Sequence, residues 1–416
     1  MSAGRTSPDG PPGGTAPLAG LKVLDLAWVV AGPLIGRALA DYGATVVRVE
    51  SSKRIETARM MGPFPGGKSD VQQSVLFENC NANKYGLSLD LSKPEARAVA
   101  LELACWADVV IESFMPGQMA KFGLGYERLS SLNPGLIMVS TSLMGQTGPY
   151  SQFSGYGNVG AALAGYQMLV GQPGELPIGP FGPYTDYVGP RFAIVTLLAA
   201  LDHRRRTGEG CLLDVAQAEA GIAFLAPQIA ECAATGRVAT ALGNRDPAFA
   251  PHGVFRSTAQ DGWVAIVARD DAEWRRLATL IGGGALAADP RFSTLPGRKQ
   301  HEDELEALLG AWCAQREAAG IERELQALGV PAAVVAGTDE FCGDPQLRAR
   351  GHFVRMPHPL MGETVFENSR YTLSETPARF ERTAPTFGRD NAWVLGSLLG
   401  YDAARIEALA ATGALA

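Results

Sequence analysis

Two glycine-rich runs and one isolated acid are the places where residue type and spacing suggest chemistry. Gly62-Pro-Phe-Pro-Gly-Gly-Lys68-Ser69 has the spacing of a phosphate-binding P-loop. Such a loop works through backbone N–H groups presented between a strand and a helix. Here two prolines delete two donors, and Ile55 to Met61 does not read as a buried strand. Gly155-Tyr-Gly157-Asn-Val-Gly160 has the spacing of a dinucleotide-binding turn, with Glu175 at the distance of a ribose partner. No strand precedes it, so an NAD-dependent dehydrogenase is a distant alternative, and close backbone packing is the simpler reading. Asp186 is the only acid between Glu175 and Asp202. It follows the turn-rich run Gly179-Pro-Phe-Gly-Pro-Tyr-Thr and precedes a helical pattern. Proline favours the first helical position, so Pro190 places the cap near Gly189 and leaves Asp186 in a loop beside the helix's positive end. On local residues alone, a surface loop or cap is a better reading of Asp186 than a catalyst.

Other chemistries lack their residues. No GxSxG elbow occurs. His252 and His352 stand alone and read as structural histidines. Six cysteines without a CxxC pair and five histidines without HExxH spacing give no protein-held metal site. The cysteine usage predicts reduced thiols and a cytoplasmic protein. With 36 basic against 43 acidic residues and a net charge of −7, there is no basic stripe for nucleic acid. Leu129 to Gly174 contains no Asp, Glu, Lys or Arg, but Gly, Pro and polar residues interrupt it. It offers no run of about 20 apolar residues for a membrane span and reads as backbone packed around a cleft. Residues 1–17, rich in Gly, Pro, Ser and Thr, read as a disordered tail rather than a secretory signal.

The elements that must carry these residues alternate. Lys22 to Val30 reads as a strand, Pro33 to Tyr42 as a helix ended by Gly43, and Ala44 to Glu50 as a second strand. Near-continuous apolar strands separated by helices indicate a parallel sheet covered on both faces. The pattern repeats as helix Pro94–Trp106, strand Ala107–Glu112, helix Glu127–Leu132 and strand Leu136–Thr141. Helix Pro190–Arg206, strand Leu212–Val215 and helix Ala216–Ala234 follow, then a Gly/Pro/Asn-rich segment, Gly236 to Gly253. Beyond it come strand Trp263–Ala268, helices Asp271–Ile281, Glu302–Ala319 and Glu322–Leu328, and strand Ala332–Val335. Short strand-like pieces follow from Phe353, then a helical tail. The fold class is α/β, a doubly wound Rossmann-like sheet, and 416 residues suggest more than one domain at about 150 residues each.

Several stretches in order resemble the family III CoA-transferases, the group of formyl-CoA transferase and the carnitine and bile-acid CoA-transferases, related to the α-methylacyl-CoA racemases. They are Leu21-Lys-Val-Leu-Asp-Leu with Ala31-Gly-Pro33; Leu39-Ala-Asp-Tyr-Gly-Ala-Thr-Val-Val-Arg-Val-Glu50; Asn83-Lys84 with Leu87-Ser-Leu-Asp-Leu91; Ala107-Asp-Val-Val-Ile-Glu-Ser-Phe-Met-Pro-Gly117; Gly145-Gln-Thr-Gly-Pro-Tyr150; and Arg206-Thr-Gly-Glu-Gly210. The likeness runs from about Leu18 to the C-terminus.

The resemblance implies that Asp186 is the nucleophile. A carboxylate needs no base at neutral pH, which suits a histidine-poor chain. It would attack the acyl-CoA thioester to give an aspartyl anhydride, which CoA thiolate converts to an aspartyl-CoA thioester; the acceptor acid reverses these steps. Coenzyme A contacts are implied at Val30, Ala31, Leu89, Asp90, Leu91, Phe114, Met115, Pro116, Lys121, Ser142, Leu143, Met144 and Gly145. The family's arginine after Glu50 is replaced by Ser51-Ser52, so Lys53 or Arg54 takes over its phosphate contact. Tyr156 and Arg245 are candidates for the substrate side.

The racemase branch needs a histidine in an Ala/Ser-Gly-His motif; here Ser154-Gly155 is followed by Tyr156. A phenol with an ordinary pKa of about 10 is a poor base at neutral pH. CoA transfer is therefore favoured, with an α-methylacyl-CoA racemase-like activity as the alternative. The resemblance also implies an interlocked homodimer without metal, nucleic-acid or membrane partners. Its large domain is built from 18–235 and from 331–416, with a linker at 236–253 and a small domain at 254–330.

Overall fold

The computed structural model describes residues 16–260 and 262–416; most of the expected N-terminal tail lies outside the described residues. Two compact units form. The first comprises residues up to Tyr166, Gly179–Val238 and Arg348–Ala416; the second comprises Gln167–Ile178 and Ala239–Leu347.

The first unit is an α/β fold on a six-stranded sheet: β1 (Lys22–Asp25), β2 (Thr45–Glu50), β3 (Tyr85–Ser88), β4 (Val109–Glu112), β5 (Ile137–Ser142) and β6 (Cys211–Ala216). All pairs are parallel, in the order β3-β2-β1-β4-β5-β6. Alternate side chains of each strand enter two different cores, as the period of two requires. Leu24, Val47, Val49, Leu87, Val110 and Met138 face helices Pro94–Trp106 and Ala403–Ala411. Val23, Val46, Val109, Ile111, Ile137 and Val139 face helices Ala31–Ala40 and Tyr184–Thr207 through Ile35, Leu39, Ala193 and Leu197. Both faces are covered, which is why the strands read as unbroken apolar runs. Residues far along the chain complete the first core: Val394, Leu395, Tyr401 and Leu409 are buried in it, and Trp393 stacks on Tyr85 at 4.0 Å. The order of the strands reverses between β1 and β4, and doubly wound sheets bind ligands beyond the strand ends at such a switch.

In this unit the hairpin β10 (Phe353–His358) and β11 (Gly362–Glu367) realises the strand-like pieces seen after Phe353. The second unit holds an antiparallel sheet of β7 (His252–Arg256), β8 (Trp263–Val267) and β9 (Ala332–Val334). Its own core includes Trp274, Phe292, Leu305, Leu309 and Ile321. No helix among the described residues is long and apolar enough to cross a membrane.

Three expectations need correction. The helix expected from Pro190 begins at Tyr184, with Pro190 inside it. The hydrogen bond that a helical proline forfeits is the one to the carbonyl four residues back, here Asp186. Asp186 therefore lies in the first turn of a helix, not in a loop. The helix expected over Ala216–Ala234 is broken into Gln217–Ile222, a tight turn Ala223–Leu225, and Ala226–Thr235, with Pro227 opening the last piece. The helix expected to Ala319 ends at Cys313, and another starts at Ala318.

Candidate active site

Asp186 is buried, 4% exposed, although it sits one turn from the start of its helix. Close packing of the glycine run against that turn accounts for the burial. A Cβ on Gly157 would lie 2.5 Å from the Pro183 carbonyl oxygen and 2.6 Å from the Asp186 nitrogen; one on Gly160 would lie 2.3 Å from Thr185 Oγ1. The Thr185 hydroxyl donates to the Gly157 carbonyl at 3.1 Å, and the Gly157 N–H donates to Asp186 Oδ2 at 3.3 Å. Gly155-Tyr-Gly157-Asn-Val-Gly160 is therefore a packing run that holds Asp186. No strand leads into it, since β5 ends at Ser142, and the space before Gly157 and Gly160 is filled by protein, so the dinucleotide reading falls. The P-loop-like run also lacks its strand: helix Thr57–Met60 precedes it, and Pro65–Gly67 is a short exposed turn.

Burial raises the Asp186 pKa to about 6, while hydrogen bonds from the Gly157 N–H and the Gln217 side chain hold it down. The carboxylate is thus ionised at neutral pH with little water around it, which leaves its lone pairs available for attack.

Beyond the switch point, a cleft of about 310 Å³ is lined by residues that include Trp28, Ser51, Lys53, Arg54, Leu89, Asp90, Leu91, Phe114 and Phe122. It brings together Arg54, Leu89, Asp90, Leu91 and Phe114 from the sequence-derived set. Trp28, Phe114 and Phe122 form an edge-to-face series with ring centres 6.0 and 5.8 Å apart. Arg54 lies over the Trp28 ring at 5.2 Å. Glu112 closes β4 beneath Phe114, accepting its N–H at 2.7 Å; burial pushes this carboxyl up to about 7. Lys53 and Arg54 are exposed cations at the cleft. The buried Arg59 is instead taken by Glu50 in a bidentate pair at 2.7 and 2.6 Å.

The segment Ala27–Val30 links the cleft to the Asp186 helix. Trp28 lines the cleft, and Val30 packs in a cluster with Leu34, Cys80 and Tyr187, the residue after Asp186. Val29 has φ 68°, a strained conformation for a β-branched residue. Strain of this kind persists only where surroundings over-determine it, and here they do. The Ala27 N–H donates to Asp25, its carbonyl accepts from Arg48 at 2.6 Å, the Trp28 N–H donates to Ser113 at 2.8 Å, and the Val29 N–H donates to Glu56 at 3.1 Å. Beneath it Arg48 pairs with Glu56, and the fully buried Lys84 donates to Asp25 at 2.7 Å, to the Pro33 carbonyl and to Asn81. Desolvation lowers the Lys84 pKa to about 8.

The other sequence-derived residues are spread more widely. Val30 and Ala31 are buried at the start of helix Ala31–Ala40. Leu143, in the Ser142–Gly145 loop with Met144, backs the glycine run: its Cδ2 lies 2.9 Å from where a Gly155 Cβ would be. Met115 is exposed and accepts from the Ser154 hydroxyl at 3.3 Å; Pro116 belongs to the same loop, and Lys121 is exposed. Tyr156 is half exposed. Arg245 lies in the second unit, where Glu306 holds it at 2.9 and 2.6 Å and Asp303 adds a further pair. Its guanidinium is committed to carboxylates of its own unit. Sequence reasoning missed Gln217 and Trp28. Neither lies in a motif, and Gln217 meets Asp186 only through the tertiary fold.

The family model described as CoA-transferase family III matches residues 18–391. The chain is 35% identical to a succinyl-CoA–D-citramalate CoA-transferase of Chloroflexus aurantiacus over 92% of this chain and 94% of that protein. It is 33% identical to a succinate–glutarate CoA-transferase of Agrobacterium fabrum over 92% and 96%. The crystal structure of a CAIB/BAIF family protein from Brucella suis superposes with a TM-score of 0.85 at 31% identity, covering 92% of this chain and 100% of that one.

Proposed function

The chain belongs to CoA-transferase family III, and from that premise we propose that it moves CoA between carboxylic acids through covalent intermediates on Asp186. The observation that carries this reading is the buried Asp186 carboxylate, ionised at neutral pH and tied to the Gly157 N–H. Its oxygen attacks the thioester carbonyl and expels CoA thiolate, leaving a mixed anhydride. The thiolate then attacks Cγ of Asp186 and releases the donor acid; the acceptor acid runs the sequence in reverse. Burial protects the anhydride from water.

The CoA nucleotide end is assigned to the cleft of Trp28, Arg54, Leu89, Asp90, Leu91 and Phe114, with Lys53 and Arg54 meeting phosphates. The thioester arm runs along Val29–Val30 toward Asp186. Relatives named for succinyl-CoA, succinate and glutarate suggest a short dicarboxylic acyl-CoA as donor and a small carboxylic acid as acceptor.

A cytoplasmic, interlocked homodimer on a Rossmann-like sheet completes the proposal. Phe192, Val195 and Leu198 are exposed along one side of the Asp186 helix, and Phe224, also exposed, meets Phe192 at 5.9 Å. Such an apolar patch fits burial against a second copy.

The test is to mix the enzyme with succinyl-CoA, quench, and map adducts by mass spectrometry. A CoA thioester on the peptide carrying Asp186, absent from Asp186→Ala, is the expected result. An adduct on another carboxylate, or transfer by Asp186→Ala at the wild-type rate, rejects the proposal.

A further inference from the structure

We infer that the Gly157 N–H and the Gln217 side-chain amide form the oxyanion site for the steps in which Cγ of Asp186 is itself attacked. The inference rests on the covalent mechanism proposed above and assigns residues to a part of it.

The two donors come from separate elements and converge on one carboxylate. Gly157 opens the helix Gly157–Leu163 and donates to Oδ2 at 3.3 Å. Gln217 follows β6 directly, so the sheet fixes its backbone. Its stem lies beside Gly189, one turn after Asp186: Cγ is 3.5 Å from where a Gly189 Cβ would be. The Gln217 side chain also acts on Asp186, holding its pKa down against burial. Gln217 is itself only 7% exposed, and its Oε1 has no hydrogen-bond partner among the described residues. Burying an unpartnered amide oxygen costs stability. An apolar side chain would avoid that cost but could not donate to Asp186.

The chemistry gives these donors a second task. When CoA thiolate attacks the anhydride at Cγ, a carbon–sulfur bond forms and the π pair moves onto the Asp186 carbonyl oxygen. Collapse of this tetrahedral species breaks the bond from Cγ to the donor acyl oxygen, and the donor acid leaves as a carboxylate with that electron pair. The attack of the acceptor carboxylate on the aspartyl thioester passes through the same kind of oxyanion and expels CoA thiolate. No proton moves in either step. In both, negative charge returns to the Asp186 carboxyl, whose Oδ2 the Gly157 N–H already faces and which the Gln217 side chain already favours in its charged form, and such pre-aimed donors need no reorganisation as charge develops. The other two tetrahedral species carry their charge on the substrate acyl carbonyl, away from these donors.

Gln217→Met keeps the length of the stem and removes both polar ends. It should unfold at or above the wild-type temperature. In rapid-quench mass spectrometry with succinyl-CoA, its aspartyl-CoA thioester should form about 100-fold more slowly, the usual loss for one oxyanion donor. Its KM for succinyl-CoA should stay within a few-fold of wild type. Gln217→Glu, of equal size, should be at least as slow at pH 8, because its charge repels the oxyanion, and should recover part of the rate as the pH is lowered. Thioester formation at the wild-type rate in folded Gln217→Met overturns the inference while leaving the mechanism standing. Absence of any Asp186 adduct in the wild type removes the mechanism, and with it the inference.

Discussion

The N–H of Gly157 lies 3.3 Å from Oδ2 of Asp186. This contact accounts for two properties of the acid at once. The approach that makes it excludes water, which raises the pKa, and the hydrogen bond limits the rise. An ionised carboxylate held at the edge of its titration range is the outcome.

Asp186→Asn should abolish CoA transfer and stabilise the protein at pH 7. The folded-state pKa, about 6, stands above the ordinary aspartate value of 3.8. Folding is therefore favoured when the group is protonated, and this contribution is lost as pH rises through 6. At about 1.4 kcal/mol per unit the gain in the variant is at most about 3 kcal/mol, reduced by whatever hydrogen bonding the amide fails to replace. Urea titrations at pH 7 and pH 4 should show the difference between the two proteins shrinking at the lower pH.

The rate of transfer should fall on the acid side of a single ionisation near pH 6, because the protonated carboxyl is not a nucleophile. Well below that pH, kcat/KM should drop about tenfold per unit. A profile flat down to pH 5 would exclude Asp186 as the titrating group.

Gly157→Ala should lose both stability and activity. Its methyl group would have to occupy space 2.5–2.7 Å from atoms of Pro183 and Asp186. Overpacking of this kind costs about 1–3 kcal/mol, and the displaced backbone carries the Asp186 carboxylate with it. Thermal unfolding and CoA exchange measured on the same preparation check this, with exchange falling further than stability alone explains.

Glu56→Gln should destabilise the fold by about 3–5 kcal/mol, because it removes the carboxylate facing the fully buried Arg48. It should also weaken CoA binding, since the Val29 N–H loses a charged acceptor. Chemical denaturation and calorimetry with CoA measure the two effects separately.

Arg54→Ala should leave stability unchanged, because the side chain is exposed. CoA affinity should fall about 10- to 100-fold, the worth of one charge-assisted contact to phosphate. The loss should shrink at high salt, which a titration series in sodium chloride would reveal.

Much of the sheet was readable because its strands are buried on both faces. β2, β4 and β5 appear as apolar runs within two residues of their observed ends. β3 was not, since Tyr85–Ser88 is only four residues long and includes Gly86 and Ser88. The start of the Asp186 helix was misplaced by a sound local rule: proline does favour the first helical position, yet packing of Gly157 and Gly160 against Thr185 and Asp186 extends this helix through Pro190. Asp186 was named through family likeness, but its burial was not readable. That burial depends on glycines 26 and 29 positions earlier and on Gln217, 31 positions later. The cations near Glu50 show the same limit. Arg48 and Arg59 look as available as Arg54 in the sequence, and only the fold reveals that carboxylates occupy the first two.

The stacking of Trp393 on Tyr85 and the burial of Val394, Leu395 and Leu409 against β1, β2 and β3 bear on how the protein is made. During synthesis from the N-terminus, helix Pro94–Trp106 can cover only part of that face, and the rest stays open until residues beyond 390 leave the ribosome. The nascent chain carries a half-covered apolar surface through most of translation, a state prone to association with other chains. Expression yield should therefore respond to translation speed and to the supply of chaperones that shield apolar surface.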